Sequence, residues 1–284
     1  MNQTLNMKFV FLILISLLFL GLNSIFCKLA LSNNYIDAFS FTFFRLFFGA
    51  ITLLLIFFYK SKKISILPKS NWLSSFMLFL YAICFSYSFL DINAGFGTLL
   101  LFAVVQMVML AFSLFHKEKI NLQKIIGIFL ALFGLIYLLY PKESFEVSLF
   151  HAFLMIIAGI AWAVYTILGK KSSDSLYNTM DNFIKSLVFV GIFYILYLPE
   201  NSFISQNGLL LAFISGSLTS AIGYVLWYEI LPKLQYIPAG VIQLFVPIIS
   251  IIISIIFLNE SLSTTLFLST IIIFSGIILT IFSK

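Results

Sequence analysis

The side chains able to do chemistry in this chain are few, and most of them fall inside apolar stretches. Arg45 lies about two turns into one such stretch. A guanidinium keeps its charge at any physiological pH, so inside a bilayer it must face protein or water. Two roles fit it: an anchor for a substrate carboxylate or gating ion pair, and a structural pair with Asp91 or a helix C-terminus. Asp181 and Lys185 are spaced i, i+4 and can pair on one helix face, which neutralises both; an unpaired Asp181 would instead be a candidate proton carrier. Gln106 and Gln243 each offer donors and an acceptor without charge, suited to orienting a polar ligand or to helix–helix bonding. Asn23, Trp162, Tyr165, Tyr224 and Trp227 are candidates for the lining of an amphipathic cavity, with Tyr228 beside them. Trp227 and Tyr228 also fit an interfacial aromatic belt. Pro247 predicts a bend in its helix and a freed carbonyl in need of another partner, which would either gate a cavity or curve the helix for packing.

Other chemistries leave no trace. There is no G-x-x-x-x-G-K-[ST] loop, hence no ATP-binding engine, and no H-E-x-x-H, G-x-S-x-G or paired-cysteine metal pattern. Cys27 and Cys84 lie in apolar runs and read as small core residues. His116 and His151 fall at the ends of such runs. No cofactor or metal is expected. A polytopic membrane enzyme would need a cluster of His, Asp, Ser or Arg at one membrane face, and a channel a ring of charge; neither stands out. A non-transporting scaffold is the third alternative.

The elements that must position these residues are transmembrane helices. Of 284 residues, 62% are hydrophobic and only 9% charged, against about 25% charged in soluble domains. Cutting at polar and Pro/Gly punctuation gives ten apolar segments: 8–31, 37–59, 71–90, 94–115, 122–140, 148–169, 176–198, 208–230, 237–258 and 263–283. The first apolar run, Phe9 to Ala30, exceeds a signal-peptide core and reads as a retained span. With a cytoplasmic N-terminus, the inside segments hold Lys8, Lys60, Lys62, Lys63, Lys69, Lys117, Lys119, Lys124, Lys170, Lys171, Lys233 and Lys284, and the outside loops only Lys142. The outside loops carry Asp37, Asp91, Glu143, Glu146, Glu200 and Glu260. This positive-inside asymmetry predicts an all-α protein of the cell (inner) membrane with both termini cytoplasmic. The net charge of +6 follows from those lysine clusters and does not point to nucleic acid. Glu118 and Glu260 flank short turns at helix ends and read as capping and packing groups rather than coupling ones.

A repeat underlies the ten segments. Leu20-Gly21 with Lys28 matches Trp162-Ala163 with Lys170; His116-Lys117-Glu118-Lys119-Ile120 matches Leu258-Asn259-Glu260-Ser261-Leu262; Gly134 matches Gly276. All three pairs share an offset of 142, half the chain, and Arg45 and Lys185 stand at 140. Two units of five spans, 1–142 and 143–284, must cross the membrane in opposite senses, the layout that supports alternating access.

The chain resembles the EamA family of the drug/metabolite transporter superfamily over nearly its whole length. The family's first-span pattern W-G-x-n-f-x-x-x-K is similar to Leu20-Gly21-Leu22-Asn23-Ser24-Ile25-Phe26-Cys27-Lys28, with Leu20 for the tryptophan, and Gly159-Ile160-Ala161-Trp162-Ala163-Val164-Tyr165-Thr166 keeps it. Arg45 resembles the family's second-span arginine. Gly223-Tyr224-Val225-Leu226-Trp227-Tyr228, Leu231-Pro232-Lys233-Leu234, Ala239 to Pro247, Glu260 and Gly276 resemble its second half, whereas Val105, paired with Pro247, departs from matched prolines. The resemblance implies a secondary transporter, often an exporter of metabolites or amino acids. Expected partners are a small-molecule substrate, the lipid bilayer and protons as a candidate coupling ion, in a monomer or homodimer.

Overall fold

The computed structural model describes residues 7–61, 71–115, 122–139, 148–170, 174–197, 202–234 and 236–282. Lys62, Lys63, Lys69, His116, Lys117, Glu118, Lys119, Lys142, Glu143, Glu146, Lys171, Glu200 and Lys284 lie outside those residues, as does the side chain of Lys124.

The fold is all-α. The first repeat region comprises α1 (Met7–Ser32), α2 (Ala38–Ser61), α3 (Trp72–Ser88), α4 (Ala94–Phe115) and α5 (Leu122–Leu139). The second comprises α6 (Leu149–Gly169), α7 (Ser175–Tyr197), the segment α8 (Gln206–Ile214), π turn (Ser215–Ile222), α9 (Gly223–Ile230) and 3₁₀ turn (Leu231–Lys233), then α10 (Tyr236–Gln243), α11 (Phe245–Leu258) and α12 (Thr264–Phe282). Among the described residues, six helices are long and apolar enough to cross a membrane, the eighth segment Gln206–Lys233 counted as one; Trp72–Ser88, Ile125–Leu139, Phe245–Leu258 and Thr264–Leu279 are shorter apolar helices.

Helix starts are set by polar caps. Asn71, Ser148, Ser205 and Ser263 accept backbone N–H bonds from the first turns of α3, α6, α8 and α12. Asp37 caps α2 through Ser40 N at 2.8 Å, while its other oxygen accepts Phe203 N at 3.0 Å. One carboxylate thus fastens the α1–α2 loop to the entry of α8, helped by the isolated bridge between Ile36 and Ile204. Glu260 caps α4 from across the sequence, accepting Ala94 N at 2.6 Å and Gly95 N at 3.1 Å. That is the capping role expected of it.

The helices pack reciprocally. α1 lies against the eighth segment and α11, as α6 lies against α3 and α4; α2 packs on the π turn as α7 packs on α3. α5 and α12 pack on each other, and the matched glycines explain how. A Cβ on Gly276 would stand 2.5 Å from Ala131 N, and one on Gly134 2.7 Å from an Ile273 side-chain carbon. Such close approach is the small-residue packing that membrane helices use. The starts of α1 and α6, of α4 and α10, and of α5 and α12 are each 142 positions apart. α1 and α6 run in opposite senses: Lys28, near the end of α1, donates to Phe89 O at 3.1 Å, while His151, at the start of α6, stands 3.6 Å from Asp91 on the same face. That face carries Asp37, Asp91 and Glu260. The opposite face carries Lys8, Lys60, Lys170 and Lys233, with Lys170 donating to Leu234 O and lying 3.9 Å from the Tyr236 ring centroid.

Two expected continuous spans are interrupted. The eighth passes through a π turn at Ser215–Ile222. The ninth breaks at Leu244, between α10 and α11. Pro247 explains that break: it has no N–H for the carbonyl four residues back, which is Gln243, and its ring presses on that carbonyl. The bend expected from Pro247 therefore falls one turn before it.

Candidate functional site

Arg45 is 1% exposed and among the described residues has no carboxylate within ion-pair distance. Its Nε donates to Ser220 Oγ at 2.9 Å, and its Nη2 donates to Tyr224 Oη at 2.7 Å and Tyr81 Oη at 3.3 Å. Nη1 meets no acceptor. The guanidinium carbon lies 5.2 Å and 5.3 Å from the ring centroids of Phe85 and Tyr81. Asp91, one expected partner, is engaged by His151 instead. Arg45 is thus solvated by hydroxyls and ring faces, which leave its full charge uncompensated. Keeping a lone charge buried costs several kcal/mol even after relaxation, so such a residue inside a membrane marks a site.

The π turn supplies part of that solvation. In α-helical geometry Ser215 and Ser220 would be about 140° apart around the axis; i→i+5 winding brings them onto one face. Asn23 Oδ1 consequently accepts three hydroxyls at once, from Ser215 at 3.0 Å, Thr219 at 2.6 Å and Ser220 at 3.1 Å, while Asn23 Nδ2 has no partner. Ser220 links Asn23 to Arg45. A bare backbone at Gly216 makes the contact possible, since a Cβ there would stand 2.3 Å from Arg45 O and 3.1 Å from Arg45 Cα. Gly216→Ala is expected to push the π turn off α2 and to destabilise the protein by about 1–3 kcal/mol. A lowered melting temperature together with reduced transport checks this; an unchanged melting temperature would contradict it.

Aromatic rings continue from the arginine. Trp162 lies 4.9 Å from Tyr81, 4.8 Å from Tyr224 and 5.7 Å from Tyr165, centroid to centroid. Its indole N–H donates to Gln243 Oε1 at 2.9 Å. Gln243, the last residue of α10 before the break, also places Nε2 3.9 Å from Met109 Sδ. Gln106 packs against Gly240, one turn earlier on α10, and its Oε1 is unpaired at 3% residue exposure. Arg45, Asn23, Trp162, Tyr165, Tyr224 and Gln243 therefore form one contiguous polar and aromatic system, and Gln106 lies apart from their bonds, against Gly240. Trp227 and Tyr228 are 0% and 3% exposed, which corrects the interfacial-belt reading: both are buried by the bundle. Tyr228 stacks edge-on against Tyr165 at 5.2 Å. The buried Trp227 N–H has no acceptor, and no hydrogen bond joins it to the arginine network.

Asp181 and Lys185 stand apart as a pair on α7, 2.9 Å from nitrogen to oxygen, with Lys185 Nζ 5.1 Å from the Trp72 ring centroid. Sequence reasoning did not name Tyr81, Ser215, Thr219 or Ser220. Ser215-Gly216-Ser217-Leu218-Thr219-Ser220 is a hydroxyl-dense stretch inside an apolar span, and that was the available signal.

The sequence has relatives. Residues 7–140 and 149–282 each match the model of the EamA-like transporter family. An uncharacterized protein of Pseudomonas aeruginosa is 36% identical over 94% of this chain and 92% of its own length. An uncharacterized transporter of Bacillus subtilis is 25% identical over 84% of this chain and 85% of its own. One from Archaeoglobus fulgidus is 27% identical over 69% and 71%. A solved structure superposes with a TM-score of 0.69 over 96% of both chains at 13% identity, a likeness of fold alone.

Proposed function

The chain belongs to the EamA-like transporter family and is a multi-pass membrane transporter, and from that premise we propose that it is a secondary transporter of a small metabolite bearing a carboxylate, an amino acid being the simplest case. Arg45 carries this reading: a buried guanidinium, with no counter-charge among the described residues and one unpaired nitrogen, on a wall of hydroxyls and rings. A bound carboxylate would supply the missing charge and accept from Nη1. Cationic amphipathic drugs, the other expected substrate class, would meet an unneutralised positive charge and are disfavoured.

Ten spans in two inverted units, 1–142 and 143–284, would exchange conformations around this site, opening it to one face and then the other. The broken helix α10–α11 is the natural hinge, because Gln243 sits at the break and holds Trp162. Export across the inner membrane, with both termini cytoplasmic, follows from the resemblance and the lysine sorting; protons are the candidate coupling ion. One copy holds every residue of the site, so a monomer suffices.

Pro247→Ala restores the missing N–H and favours a continuous helix by about 3 kcal/mol. The expected result is transport slowed severalfold with substrate binding retained; unchanged turnover would remove Pro247 from the mechanism. The function itself is tested with purified protein in liposomes, by counterflow of radiolabelled amino acids against their decarboxylated amines, with and without a pH gradient. Saturable, carboxylate-dependent flux is expected. Linear flux would indicate a pore, and none for either set would refute the reading.

A further inference from the structure

A polar cavity lies at the carboxylate face, between the ends of α1, α4 and α11. It has a volume of about 520 Å³ and is bounded by Lys28, Ser32, Asn33, Asn93, Asn259 and Glu260 among others. Lys28 supplies one cation, Glu260 supplies one carboxylate, and the other polar groups in its wall are uncharged amides and hydroxyls. Both ions keep unused bonding capacity. Lys28 donates one of its three N–H groups, to Phe89 O. Glu260 accepts one backbone N–H on each oxygen, and each oxygen retains a second acceptor position.

We infer that this vestibule is a docking site for a zwitterionic α-amino acid, its carboxylate on Lys28 and its ammonium on Glu260, one step outside the Arg45 site. The inference rests on the carboxylate reading of Arg45 and narrows it to zwitterions. A wall with one charge of each sign rewards a ligand that has both, whereas a dicarboxylate or a diamine leaves one pole mismatched. The volume falls in the range of about 300–1,000 Å³ typical of small-molecule sites. The vestibule is also close to the central network. Asn23 and Lys28 are five residues apart on α1, about 7.5 Å of helix rise. Cys27, next to Lys28 on α1, and Phe89, whose carbonyl accepts from Lys28, are both fully buried.

The test measures binding of a uniformly radiolabelled mixture of L-amino acids to the purified, full-length protein in nanodiscs. Arg45→Met is expected to lose the central site and keep weak, saturable binding at the vestibule. Adding Lys28→Met to that background is expected to weaken the residual binding by about tenfold or more, the scale of one lost charged hydrogen bond. Glu260→Gln, which preserves one acceptor for the α4 cap, is expected to do the same. In the Arg45→Met protein, N-acetyl amino acids and amino-acid amides should both fail as competitors, since each lacks one pole. Melting temperatures distinguish a lost site from a lost fold. If N-acetyl amino acids compete fully, the two-pole reading is overturned. If Arg45→Met alone abolishes all binding, the vestibule site is overturned while the central reading stands. If the wild-type protein binds no amino acid, both fail.

Discussion

Arg45→Met should lower transport by about a hundredfold while leaving the melting temperature unchanged or raised. The two halves of that result have separate causes. Transport falls because a substrate carboxylate loses its charge-assisted bonds, each worth about 1.5–3 kcal/mol. Stability holds because the wild-type guanidinium is buried without a counter-ion, and replacing a poorly compensated charge by an apolar side chain of similar volume is often neutral or stabilising. The losses on the protein side are modest, since Ser220 still donates to Asn23 and the rings of Tyr81 and Tyr224 still pack on Trp162. Arg45→Lys keeps the charge but cannot reach Ser220, Tyr81 and Tyr224 as one planar fork. It should fall between wild type and Arg45→Met. Flux and thermal melting on the same preparations decide the matter. Wild-type flux in Arg45→Met would end the anchor role, and a collapsed melting temperature would make the arginine a structural element.

Much of this arrangement could be read from the residues alone, because membrane burial leaves a strong signature. Apolar length marked the helices, six of them among the described residues long enough to cross a membrane and four shorter. The shared offset of 142 linked Gly134 to Gly276 before the packing of α5 on α12 showed why both are glycine. Arg45, Trp162 and Gln243 were legible as polar or aromatic groups at membrane depth. Their wiring was not, since it depends on how helices distant in sequence meet: Asn23 and Ser215 are 192 positions apart, Arg45 and Tyr224 179. The π turn was equally hidden. Its hydroxyls were visible, but α-helical spacing would have scattered them around the axis, and only the altered winding gathers them on Asn23. For Pro247 the bend was legible and its place was not, because the proline acts on the carbonyl of Gln243, a turn upstream.

The Asp181–Lys185 pair invites the coupling role that acidic groups in membranes often have, and a thermodynamic cycle distinguishes that role from simple neutralisation. The geometry favours neutralisation. The two charges are 2.9 Å apart on one helix face, with side chains 2% and 12% exposed, and among the described residues no hydrogen bond connects them to the Arg45 network. Lys185→Met should therefore destabilise the protein by about 3 kcal/mol or more, because it leaves a buried carboxylate with no cation beside it. Asp181→Asn should cost less, since Lys185 still faces the Trp72 ring at 5.1 Å. The double variant Asp181→Asn with Lys185→Met should recover most of the lost stability, as removing both members of a buried pair is far cheaper than removing one. It should also recover transport, with the wild-type dependence on an imposed pH gradient. That last measurement is decisive: a proton carrier cannot be replaced by an amide, so a double variant that is stable yet blind to the pH gradient would assign coupling to Asp181 and overturn the neutralisation account.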